Sequence, residues 1–207
     1  MIRTITIGDF KGIKSGKVEN LAALTILVGH NDSGKSTVLD AVHDVLSGGV
    51  PPDNATVKFE FDSDESRSYP VVHLTTKVLA SELKTSSDSH RRMVELLYAL
   101  HLPEDSTGQT TLIDQPELFL DEANIDRVAA LIWGAVRRGV QVICATHSVS
   151  FMEAIVGMHC TSEIVSNALL SEQIALVRLD LKEGVLSTVY GNGNDLLMAM
   201  ETGADIR

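Results

Sequence analysis

The sequence predicts an α/β fold, a mainly parallel core sheet flanked by helices, and three observations carry that expectation. Between Thr25 and Leu46 an apolar strand runs into a glycine-bounded loop and then an amphipathic helix. Farther on, short apolar runs alternate with helical patterns, which is how a parallel sheet is wound. Those runs end on polar residues, Asp114 in one case and Thr146-His147-Ser148 in another, at the sheet edge where such folds bind ligands.

The strand-loop-helix unit is the centre of the chain. Leu24, Ile26, Leu27 and Val28 form its strand, and Val38, Leu39, Val42 and Leu46 recur at helical spacing after it. Between them Gly29-His30-Asn31-Asp32-Ser33-Gly34-Lys35-Ser36 fits GxxxxGK[ST], with Thr37 next. Glycines at both ends let backbone N–H groups wrap phosphates. Lys35 is placed for the β- and γ-phosphate oxygens and Ser36 for Mg²⁺. The helix opening near Lys35 adds unpaired N–H groups and the positive end of its dipole.

Residues 2–8 and 24–28 read as strands, the first alternating like an edge strand, with a turn-rich link from Asp9 to Asn20 between them. The helix after the cradle stops at Ser47-Gly48-Gly49-Val50-Pro51-Pro52, glycines followed by prolines. Thr56 to Phe61 and Tyr69 to Thr75 alternate around the polar stretch Asp62 to Ser68 and read as a β-hairpin. The polar run Thr85 to Ser89 can cap a helix whose Met93, Leu96, Leu97 and Leu100 share a face, with Arg91 and Arg92 solvated.

Thr111 to Leu120 is a short strand ending in Asp114, then a proline turn. A carboxylate at such a strand end holds the nucleotide's Mg²⁺ in P-loop enzymes, so Asp114 has a natural partner in Ser36. Asp121 can cap the next helix, whose buried face is Ile125, Val128, Ala129, Ile132, Ala135 and Val136. Gln141 to Ala145 is the next core strand. The tail offers strands at Glu163–Ser166, Ile174–Leu179 and Val185–Tyr190 and a short helix after Asn194.

With 207 residues, the chain is expected to form one domain, 1–207, able to bury a large core. Its hydrophobic fraction is 44% and its charged fraction 22%, ordinary for a globular protein. A net charge of −11 argues against a broad basic nucleic-acid surface, though a local patch or a partner subunit would still supply one. The opening residues lack the apolar run of a signal peptide, and no segment approaches a membrane span, so a cytoplasmic protein without membrane partners is expected. Two cysteines, Cys144 in an apolar strand and Cys160 in a loop, read as packing residues in a reducing compartment.

The opening TITIGDFKGIKSG, the cradle GHNDSGKSTVLDAV, the string LIDQPELFLD and the string ICATHS occur in this order over residues 2–155. Together they resemble ABC-type ATPases of the branch containing the SMC, RecF and overcoming-lysogenization-defect (OLD) proteins. The resemblance implies a P-loop NTPase, ABC-ATPase-like fold: a mainly parallel core sheet flanked by helices, an N-terminal antiparallel β subdomain, and a reduced helical and signature segment at 77–103. It also implies an ATPase that uses ATP and Mg²⁺ and works as a head-to-tail homodimer, with each nucleotide covered by a serine-containing loop of the other subunit. On that likeness Gly29 through Thr37 cradle the nucleotide, Ser36 and Asp114 hold the metal, Lys35 and His147 act on the γ-phosphate, and Asp121 lies at the dimer seam. The signature falls at Ser86-Ser87-Asp88-Ser89, with Ser87 facing the nucleotide and Arg91 behind it, and Phe10 and Lys11 lie near the adenine.

Departures from the family pattern sharpen the expectation. The catalytic glutamate's place, directly after the metal aspartate, is Gln115, with Glu117 two residues on. Glutamine cannot take a proton from the attacking water, so hydrolysis should be slow. Asp88 stands where a glycine normally approaches phosphate, and its charge opposes closure unless Arg91 or Arg92 offsets it. The letters LSGGV at Leu46–Val50 imitate a transporter signature but come too early, and no Q-loop glutamine lies between cradle and signature. The readings carried forward are an ATP-driven dimerising switch and an essentially non-hydrolysing nucleotide-gated structural protein. A P-loop kinase and a transporter's nucleotide-binding subunit rank behind them. Relatives act in DNA repair, chromosome organisation or phage defence, so nucleic acid or a partner subunit enters through kinship.

Overall fold

The structure, a computed structural model, describes residues 1–49, 54–62, 71–74, 87–100, 108–160 and 172–205. In chain order the strands are β1 (Ile2–Phe10), β2 (Ile13–Val18), β3 (Leu24–Val28), β4 (Thr56–Phe61), β5 (Val71–Leu74), β6 (Thr110–Asp114), β7 (Gln141–Ala145), β8 (Ile174–Lys182) and β9 (Val185–Asn192). The helices are α1 (Lys35–Leu46), α2 (Asp88–Leu100), α3 (Glu122–Arg137), α4 (Val149–Cys160) and α5 (Gly193–Thr202). Among the described residues the strands form one nine-stranded sheet in the order β4-β1-β2-β9-β8-β3-β7-β6-β5.

The half of the sheet from β8 to β5 is parallel, through the pairs β3 with β8, β3 with β7, β6 with β7 and β5 with β6. Antiparallel pairing joins β1 to β2, β1 to β4 and β8 to β9. Alternation along the central strands sorts side chains to two faces. Leu24, Ile26, Val28, Ile113, Val142 and Cys144 pack with α2, α3, α4 and α5 on one face. On the other, Leu27, Leu112, Ile143 and Ala145 join Val38, Leu39 and Val42 of α1 and the apolar residues of β1 and β2. The single tryptophan, Trp133, clips α3 to α4 by donating Nε1–H to the Ile155 carbonyl at 2.8 Å.

Several expectations are corrected. The two runs expected to form a hairpin lie at opposite edges of the sheet: β4 pairs with β1, and β5 pairs with β6. Alternation reports that a segment is a strand but not which strand it meets. For the same reason β1 is flanked on both sides and is not an edge strand. The link from Asp9 to Asn20 is largely β2, with only Lys11 and Gly12 in the turn. Gly16, which reads as a loop residue, is required because a Cβ there would lie 2.5 Å from Leu186 Cβ of β9. Cys160 ends α4 and is not in a loop. Leu97, expected inside, is 40% exposed. Ser86, Val50 to Pro52 and the strand at Glu163–Ser166 lie outside the described residues.

Candidate functional site

The cradle begins where β3, buried along its whole length, meets Gly29 at φ +145. A Cβ on Gly29 would lie 2.5 Å from the Leu179 carbonyl oxygen and 2.6 Å from Ser33 Oγ, so only glycine fits. The loop closes on Gly34, left-handed at φ +91, which stands at the N-cap of α1 without a side-chain cap bond. The first-turn N–H groups of α1 therefore have no side-chain acceptor from the cap, and no acidic residue lies in that turn. This is the arrangement that attracts an anion to a helix start.

Lys35 runs back under the loop. Its Nζ donates to the carbonyls of Gly29 at 2.8 Å and His30 at 2.7 Å, with Ser33 Oγ at 3.4 Å. Burial pulls its pKa below 10.5, against the opposing pull of Asp114 and Asp32. The hollow beside it measures about 400 Å³ and is lined by Asn31 through Thr37, Asp114, Gln115, His147 and Leu181. Loop, strand ends β6 and β7, and the tip of the β8–β9 hairpin thus meet at one sheet edge. A larger hollow, about 620 Å³, lies at the opposite end of β3 and β8 and does not include these residues.

The segment after β6 is built with care. Gln115 is left-handed at φ +50 and its N–H donates to the Ala145 carbonyl at 2.8 Å. Arg92 of α2 then donates Nη2–H to the carbonyls of Asp114 at 2.7 Å and Gln115 at 2.9 Å. Its side chain is 3% exposed and its Nη1 pairs with Glu95 at 3.2 Å. The expectation of a solvated Arg92 is therefore wrong: one guanidinium nitrogen, Nη2, serves two converging carbonyls while the other, Nη1, reaches Glu95. Helical spacing carries no sign of this, since the acceptors are 22 and 23 residues away. Arg92→Ala should lower stability by about 3–5 kcal/mol, the cost of breaking a buried pair, with Arg92→Lys only partly restoring it; thermal melts of both variants check this.

A second bridge links the loops after β6 and β7. Thr146 Oγ1 donates to Glu117 Oε1 at 2.8 Å and accepts from the Ser148 N–H at 2.9 Å. His147 Nδ1 lies 3.9 Å from the same Glu117 oxygen. The carboxylate is felt inward too: burial first, then Glu117, push the Cys144 thiol up.

Other expected residues stand apart from the hollow. The His30 side chain is exposed and not among the lining, and only its carbonyl serves the loop. Phe10 is fully buried, so it packs in the core and offers no face to a base. Lys11 sits over the Phe10 ring, 5.2 Å from its centroid, and pairs with Asp40 of α1 at 2.9 Å. Ser87 caps α2, its Oγ accepting from the His90 N–H at 3.3 Å, and Arg91 pairs with Asp88 at 2.9 Å. Asp121 caps α3 by accepting from the Asn124 N–H.

The residues present fit Mg²⁺ with a triphosphate. Among the described residues no three His, Cys, Asp or Glu side chains gather as a metal site. Mg²⁺ suits that poverty, because it keeps several waters and takes one or two protein ligands plus phosphate oxygens; Ser36 and Asp114 both face the hollow. No described helix is long and apolar enough to cross a membrane.

Comparison with known proteins agrees with this geometry. A family described as "P-loop containing region of AAA domain" matches residues 2–56, and one described as "AAA domain, putative AbiEii toxin, Type IV TA system" matches residues 71–153. An uncharacterized protein of Methanocaldococcus jannaschii is 45% identical over 47 residues, 23% of this chain and 22% of that protein. The chain therefore spans less than a quarter of that relative's length. Among solved structures, the SMC head domain from Thermotoga maritima superposes with a TM-score of 0.53 at 16% identity, covering 91% of this chain and 98% of that one. An SMC head bound to the C-winged helix domain of ScpA gives 0.56 at 14% identity, over 97% and 99% of the two chains. A nucleotide-free ATP-binding cassette from an ABC transporter gives 0.54 at 14% identity, over 98% and 96%. At such identities the likeness is one of fold.

Proposed function

We propose that the chain is an ABC-type P-loop ATPase domain of the SMC/RecF/OLD branch, a Mg²⁺-dependent ATPase that closes as a homodimer around two ATP molecules. The observation that carries the reading is the convergence of the glycine-bounded loop, Lys35, Asp114, Gln115 and His147 on one hollow of about 400 Å³. The loop's N–H groups and the start of α1 bind the phosphate chain, with Lys35 as the cation inside the loop. Ser36 and Asp114 would hold Mg²⁺, which when bound neutralises charge on the β- and γ-phosphate oxygens. His147 orients towards the γ-phosphate, and a water attacks in line.

Gln115 favours a second reading, a nucleotide-gated structural protein that hydrolyses ATP slowly and persists in its closed form. Both readings predict nucleotide-dependent assembly, and they differ in turnover. Under either, Ser87 at the start of α2 covers the nucleotide of the second copy, and the pairing of Arg91 with Asp88 reduces the charge that Asp88 would set against it. Nucleic acid or a partner subunit as the object of the switch rests on kinship.

Sizing by light scattering tests the proposal. Adding ATP and Mg²⁺ should move the 22.4 kDa protomer towards twice that mass, and ADP should not. A mass indifferent to ATP at saturating nucleotide would remove the dimer from the reading.

A further inference from the structure

The mechanism above leaves one acid next to the hollow unused. Glu117 is only 11% exposed in its side chain, and its Oε2 is buried and takes no hydrogen bond among the described residues. Its Oε1 is the point at which two loops meet. It accepts from Thr146 Oγ1 at 2.8 Å and stands 3.9 Å from His147 Nδ1. The same Thr146 hydroxyl accepts from the Ser148 N–H at 2.9 Å, and Ser148 Oγ in turn accepts from the Phe151 N–H at 3.2 Å, closing the first turn of α4. The chain from Glu117 through Thr146 and Ser148 therefore braces the residues on both sides of His147.

From this geometry we propose that Glu117 is the positioning residue of His147, anchoring its loop through the Thr146 hydroxyl and turning the Nδ1 edge of its ring away from the phosphate site. At 3.9 Å the carboxylate is just beyond hydrogen-bond reach of Nδ1, and a small rotation of the half-exposed ring lets Nδ1–H donate to it, the bond that sets a histidine's tautomer and orientation. Nε2 is then the nitrogen left for the hollow that His147 lines. The role differs from that of a general base: Glu117 acts through the imidazole, and it is absent from the residues lining the hollow. It rests on the reading of this site as an ATPase, and it gives a role to the carboxylate that stands two residues beyond Gln115.

Two measurements test it, one of them independent of nucleotide. Long-range ¹H–¹⁵N spectra of the free full chain, with His147→Ala identifying its ring among the seven histidines, should show the proton on Nδ1. In Glu117→Gln, and in Thr146→Val should that variant fold poorly, the ring should lose this fixed state and average between tautomers. The second measurement uses the Gln115→Glu background. There Glu117→Gln should cut kcat about 10-fold or more, less than the roughly 10²–10⁴-fold that outright loss of an acid–base group costs, because the imidazole is misplaced and not removed, while equilibrium ATP affinity in the Gln115 protein stays within about twofold. Combined with His147→Ala it should add nothing further, because both changes disable the same group. Unchanged ring nitrogens in Glu117→Gln, or a full additional loss on top of His147→Ala, would overturn the assignment. If the chain binds no ATP at all, the ATPase reading falls while the spectra still decide what Glu117 does to His147.

Discussion

Gln115→Glu should raise the rate of phosphate release by about 10²–10⁴-fold, the usual contribution of a general base, equivalent to about 3–5 kcal/mol of barrier. The backbone at 115 is held in the left-handed region, at φ +50, by bonds on both its polar groups: its N–H donates to the Ala145 carbonyl and its carbonyl accepts from Arg92. Glutamine and glutamate have the same shape, so the exchange changes what the side chain can accept while the scaffold stays put. Single-turnover release of phosphate measures the effect. A gain of that size identifies an assembled site lacking one proton acceptor; no gain means that the attacking water is activated elsewhere. ATP affinity should change little, since the cradle lies on other elements.

Lys35→Ala carries the second large effect. The ammonium belongs to the loop as much as to the ligand, because it ties the carbonyls of Gly29 and His30 together from within. Removing it takes away a charge-assisted contact to phosphate, each worth about 1.5–3 kcal/mol, and releases the loop that positions the N–H groups. ATP affinity should fall by about 10²-fold or more, since about 1.4 kcal/mol is tenfold, and nucleotide-dependent dimerisation should vanish with it. Titration with a fluorescent ATP analogue checks the first and light scattering the second. An affinity unchanged by Lys35→Ala would displace the nucleotide from this loop altogether.

Lys35 also has a pH signature. Its folded pKa is pulled below 10.5 by burial, so between the two values the unfolded chain binds more protons and stability rises with pH. Below that window the buried charge costs stability, and the cost is relieved as pH climbs through the folded value towards 10.5. Lys35→Met removes that increment, so the difference between wild-type and variant stability should shift in favour of the wild type as pH rises towards 10.5. Melting curves at matched ionic strength measure it.

Much of this molecule was legible from residue order. The buried face of α3 is the one its spacing predicts, from Ile125 to Val136, because a helix repeats every 3.6 residues whatever it packs against. Gly29, Lys35 and Ser36 were found from a pattern of four fixed positions, since a phosphate loop is a local object whose geometry depends on its own glycines. Asp114 and His147 came from being polar at the ends of apolar strands. Arg92, by contrast, looked like a surface residue, and Phe10 like a neighbour of the base. The first is buried against carbonyls 22 and 23 residues away, and the second is enclosed by the core.

What the amino-acid order alone determined is therefore whatever is short in range: most of the strands, the buried face of α3, the cap at Asp121, and the glycine-bounded loop. The assembled sheet decided the rest. It sent Thr56–Phe61 and Val71–Leu74 to opposite edges, brought the β8–β9 hairpin against the cradle so that Gly29 has no room for a Cβ, and placed Glu117 against Thr146, 29 residues on. Strand pairing and buried polar bonds are chosen by the whole set of surfaces competing for partners, and no window of neighbouring residues contains that competition.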